Sequence, residues 1–163
     1  MKRLWQVADL VRAVTRQMRF GELSRARLQL LRLEWREGTA ECEWMIRQPD
    51  VWDEGLSPSE RERNVSEQAL RDAINMRAFI FFELSDVESA NFRAFRPSSA
   101  REPPELVIGG CVVRETAPFE VDSLAMRAKL YGLQFNLAQG VLSALETRDY
   151  PSLGVSQQIH SMA

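Results

Sequence analysis

The sequence predicts a single α+β domain of α-ββ-α-ββ-α-ββ order, with antiparallel hairpins packed against three helices. Three observations predict it. Apolar residues recur at helical spacing in three segments, each followed by two segments of strand character. Two-residue turn chemistry, Glu37-Gly38 and Gln139-Gly140, falls between strand segments. A chain of 163 residues with 45% hydrophobic and 27% charged residues has the composition of one ordinary globular domain, which excludes disorder throughout.

The first helix is expected over residues 3–19. Leu4, Val7, Val11, Val14 and Met18 alternate three- and four-residue spacings and form one apolar stripe, with Leu10 beside it and Gly21 as a stop. Arg12, Arg16 and Arg19 recur on another face, together with Trp5. Strands at 28–36 and 39–46 then form a hairpin. Residue i pairs with residue 75 − i, which opposes Trp35 to Ala40, Leu33 to Cys42 and Leu31 to Trp44 on a buried face. The outer face opposes Arg32 to Glu43 and, less favourably, Glu34 to Glu41.

A loop over 48–57 carries Trp52. Ser57, Pro58 and Glu60 then open the second helix as cap, first helical residue and capping-box partner. A restart or kink is expected near Asn64-Val65-Ser66, and the helix runs to about Leu84. The bulky run Phe79-Ile80-Phe81-Phe82 has no polar member, which marks the centre of the core. Strands follow at 90–96 and 105–114, separated by a proline-rich surface excursion; Gly109-Gly110 indicates a bulge or a close backbone approach. The third helix is capped by Asp122-Ser123, runs over 124–131 and stops at Gly132. A last hairpin pairs the segment of Leu133, Phe135 and Leu137 with residues 141–146. The domain organisation read from this pattern is a basic amphipathic helix over 1–20, part of or appended to the domain, a body over 21–146 and a mobile tail over 147–163.

Charge is sorted along the chain. Residues 1–33 carry a net charge of +6 and the other 130 a net charge of −8, for −2 in all. The basic end therefore either seeks an acidic partner or folds against its own acidic body. The longest apolar stretch, 78–82, is far short of the ~20 residues of a membrane span. Lys2 and Arg3 begin as a signal peptide does, but Asp9 and Arg12 interrupt any apolar region behind them. Cys42 and Cys111 lie in apolar strand patterns without metal-like spacing, so both are expected as buried thiols in a reducing cytoplasm, bacterial or other.

No nucleotide-, metal- or redox-binding signature occurs, and the sole histidine, His160, falls in the expected tail; no catalytic, cofactor-binding or metal-binding residues are assigned. Facing carboxylates Glu34, Glu41 and Glu43 have the physics of an acid/base pair or hard-cation site, against a plainer reading as a solvated ladder with Arg32 and Arg36. Asp50, Asp53 and Glu54 around Trp52 read as a turn. The functional expectation is a non-catalytic protein-interaction or accessory-subunit domain. Trp5, Arg12, Arg16, Arg19 and Trp52 would engage an acidic protein surface or the chain's own dimer mate. A small-molecule or catalytic site between sheet and helices, lined by Phe81, Phe95 and the Gly109-Gly110 backbone, is the alternative. A further one is a membrane surface, met by Leu4, Val7, Leu10, Val11, Val14, Met18 and Phe20. Overall acidity, with a pI near 5.6, disfavours nucleic acid as the main partner.

Overall fold

Helix α1 (Lys2–Gln17) leads into strands β1 (Gln29–Arg36) and β2 (Thr39–Met45), then α2 (Pro58–Glu83), β3 (Ser89–Arg96), β4 (Glu105–Val113) and α3 (Leu124–Leu130), and a small hairpin of β5 (Asn136–Ala138) and β6 (Val141–Ser143). The computed structural model describes residues 2–114 and 120–150, with side chains from Gln6 onward. The α+β class and the element order are as the sequence predicts; the sheet is not. Four strands form one mixed sheet in the order β1-β2-β3-β4, and β5-β6 stand apart as a two-stranded hairpin. β2 and β3 are parallel, with Cys42 beside Phe92 and Glu43 beside Arg93. The 26-residue α2 makes this possible, because it carries the chain back to the end of the sheet where β2 began.

The first hairpin keeps the expected register from Arg36↔Thr39 to Arg32↔Glu43, with Leu33 opposite Cys42 and both buried. Glu37 and Gly38 have φ of 53° and 81°, the positive values a two-residue hairpin turn requires. The register fails at one place. A bulge between Leu30 and Arg32 opposes Leu30, not Leu31, to Trp44, and leaves Leu31 exposed. Trp44 is fully buried edge-on against Phe92, 5.3 Å between ring centres, whereas Trp35 on the edge strand is half-buried.

The capping box at the start of α2 is formed: the Glu60 amide donates to Ser57 Oγ and the Ser57 amide to the Glu60 carboxylate, at 3.3 and 3.1 Å. No kink follows. The Ser66 hydroxyl, which could have competed for the helix backbone, instead accepts the Leu142 amide at 2.9 Å and ties α2 to β6. Ala69, Leu70, Ala73, Met76 and Ile80 form the buried face of α2. Phe82 does not join them; it is 83% exposed. Successive helical residues point ~100° apart, so a run of four sweeps nearly the whole circumference and one member must face outward. Leu10 and Val14 of α1 and Met18 just past it are buried in the same core, so this part of the expected stripe covers the domain interior.

Cys42 is buried, and burial raises its thiol pKa. Cys111 is exposed, contrary to expectation, because β4 turns it to the outer face opposite Asn91 while Val112 takes the inner one. The expected close approach at Gly109-Gly110 is present. Gly109 exchanges backbone bonds with Gln134 at 2.9 and 2.7 Å. A Cβ on Gly110, whose φ is 122°, would overlap the Gly132 carbonyl oxygen. Of the expected tail, residues 147–149 form a 3-10 turn and the Tyr150 hydroxyl donates to Gln134 at 2.6 Å. Residues 151–163, with His160, lie outside the described residues.

Candidate docking surface

The segment after α1 is held by a buried ion pair. Arg47, just past β2, donates from Nε to Asp72 of α2 at 2.7 Å, and both side chains are 2% exposed. Its other nitrogens donate to the carbonyls of Met18 (2.6 Å), Ala26 (2.8 Å) and Arg19 (3.3 Å). Gln68, one turn before Asp72, donates to that carboxylate at 2.9 Å and accepts the Leu23 amide at 2.5 Å. Burial raises the Asp72 pKa, and the bonds from Arg47 and Gln68 oppose the rise. Gly21, expected as a helix stop, serves here as clearance: a Cβ would lie 2.5 Å from the Gln68 amide.

This clasp fixes the backbone on which Phe20 stands, 62% exposed, with the Arg19 guanidinium 5.2 Å from its ring centre. A short 3-10 turn (Val51–Asp53) presents Trp52, 76% exposed. Its acids are used locally: Asp50 accepts the Arg25 amide at 2.8 Å, and the buried Asp53 accepts the Asp50 amide at 3.3 Å. Phe20 and Trp52 border an open groove of about 640 Å³, and Phe20 and Phe82 border a second of about 480 Å³ between the end of α1 and α2. Phe20 lines both, so three exposed aromatics follow one another along this end of the molecule.

Arg12, Arg16 and Arg19 are all exposed on α1 and just beyond it. Arg12 pairs with Asp9 at 3.3 Å; among the described residues no carboxylate lies within ion-pair distance of Arg16, Arg19, Arg25 or Arg27. The structure thus places Arg19 beside the aromatic row and Trp52 in it. The Trp5 side chain lies outside the described residues. Sequence reasoning misses Phe20 and Phe82 as members of the row. The signal for Phe82 is its position at the polar edge of the α2 wheel, next to Glu83.

The acidic cluster has a different character. Arg32 reaches Glu34 at 2.8 Å, Glu41 at 2.7 Å and Glu43 at 3.9 Å, and Arg93 of β3 pairs with Glu43 at 2.9 Å. The hydrogen bond from Arg32 holds the Glu34 carboxyl below its ordinary range. Signs alternate across three strands, and the ladder is satisfied; Arg93, not Arg36, completes it because β3 lies parallel beside β2. Nor do Phe81, Phe95 and the paired glycines converge. Phe81 sits against the guanidiniums of Arg77 and Arg114, while Phe95 lies with Arg93 on the sheet's outer face. Arg114 is a structural clamp, donating to the carbonyls of Phe81 in the last turn of α2 and of Leu84 and Val87 beyond it.

No family model, curated protein or solved structure matches the chain. No helix among the described residues is long and apolar enough to cross a membrane, and none of them form a cluster of metal-ligating side chains.

Proposed function

We propose that this chain is a non-catalytic interaction domain that docks an acidic protein surface through the arginines of α1 and the aromatic row beside them. One observation carries the reading. Phe20, Trp52 and Phe82, at 62, 76 and 83% exposed, stand in sequence around two grooves, next to Arg19 and Arg25, which have no carboxylate within ion-pair distance among the described residues. Exposed aromatics and arginine are the residue types that anchor protein interfaces, and a fixed backbone lowers the entropy lost on docking. Burial of Leu10, Val14 and Met18 in the core takes those three side chains out of any lipid-facing stripe and favours a protein partner.

The test compares co-purification from the native host by the parent, by an Arg12→Glu/Arg16→Glu/Arg19→Glu variant and by a Phe20→Ala/Trp52→Ala variant. The reading expects a protein retained by the parent and lost by both variants, each melting within a few degrees of it. In reconstitution, the arginine variant should associate more slowly and with a weaker salt dependence, because exposed charges steer encounter. Unchanged partners on both folded variants would refute the reading. So would a partner that is nucleic acid or lipid.

A further inference from the structure

The two edges of the main sheet are finished differently. The free edge of β4 is covered: Gly109 exchanges bonds with Gln134, and Leu145 donates to Leu106 at 2.7 Å. Among the described residues no backbone group bonds to the free edge of β1. In a two-residue hairpin the residues flanking the turn exchange both backbone bonds, and the pattern alternates from there. Arg36, Glu34 and Arg32 therefore bond to β2, and the amides and carbonyls of Leu33 and Trp35 point outward.

The side chains along this edge are complementary to themselves. Turned about an axis through Leu33, the strand opposes Arg32 to Glu34 of a second copy and Glu34 to its Arg32. The same register also sets Leu33 opposite Leu33, the arrangement in which outward amide and carbonyl are exchanged. Hydrogen-bond parity and charge thus agree on one register, and a shift by a single residue would break both. The central inward position of this edge is Leu33, which carries no charge.

We propose that β1 pairs antiparallel with β1 of a second copy, centred on Leu33, so that two four-stranded sheets become one of eight. The pairing is independent of the docking surface around Phe20.

Sedimentation of the full chain from about 1 µM to about 1 mM, with amide exchange read by NMR, tests it. The expected result is twice the 18.7 kDa of one chain, and slow exchange at the Leu33 and Trp35 amides that is lost on dilution. Glu34→Lys sets like charges against Arg32 across the axis; within one chain it gives up the exposed bond to Arg32 and faces Glu41 favourably. It should stay folded and associate at least about tenfold more weakly. A single-chain mass at about 1 mM overturns the proposal, as does a dimer that Glu34→Lys leaves intact or one in which the two amides exchange freely.

Discussion

Replacing Arg47 with methionine keeps most of the side-chain volume and removes the charge from the clasp. The loss can be worked from the contacts. Asp72 is left at 2% exposure with Gln68 as its remaining side-chain donor, and the carbonyls of Met18, Arg19 and Ala26 lose their shared guanidinium. Removing one partner of a buried ion pair costs about 3–5 kcal/mol, out of a total of about 5–15 for an ordinary domain. For a chain of this size that corresponds to a fall in melting temperature of about 10 °C. Arg47→Met/Asp72→Leu, which removes the stranded carboxylate, should recover part of the loss. The deficit must also depend on pH. Burial raises the folded-state pKa of Asp72 above its ordinary 3.8, so the native state binds the extra proton and stability falls as pH rises through that window. Without Arg47 the carboxyl rises further and the window extends upward, so Arg47→Met should lose more at about pH 7 than at about pH 4. Urea unfolding of parent and both variants at the two values is the assay. A deficit below about 1 kcal/mol, or one equal at both pH values, would refute the reasoning.

Phe81→Ala and Phe82→Ala should separate sharply in thermal melts: about 3–5 kcal/mol for Phe81, 7% exposed, and within about 0.5 kcal/mol for Phe82, 83% exposed. Equal effects would mean the face of α2 is wrongly assigned. Gly110→Ala forces a side chain into a φ of 122° and onto the Gly132 carbonyl, so it should cost at least about 2 kcal/mol and expose the Gly109 and Gln134 amides to exchange.

What the sequence makes legible is local. The register of the first hairpin follows from alternation on both faces, which permits one pairing, and the start of α2 follows from Ser57, Pro58 and Glu60. Alternation says nothing about which strand lies beside β2 on its far side, so the parallel β3 is invisible in it, and with it the role of Arg93. A bulge inserts a residue without altering composition, which is why the pattern places Leu31 in the core. The clasp is hidden for another reason. Arg47, Gln68 and Asp72 are polar residues in segments that read as surface, and a buried polar network is recognised only by its partners.

The clasp and the exposed aromatic row are joined through one stretch of backbone. A basic helix needs only its apolar stripe to cover the core, and Leu10, Val14 and Met18 achieve that. Three carbonyls on one buried guanidinium add something the core does not require: they fix the chain from Met18 to Ala26, the loop whose outer side carries Arg19 and Phe20. Burying an ion pair is a weak route to stability, and apolar side chains of the same size do as well or better. Its distinctive effect is to hold one backbone path against others. The path held here sets Phe20 between two grooves, with Trp52 on one side and Phe82 on the other. An aromatic so fixed loses little freedom when it is covered.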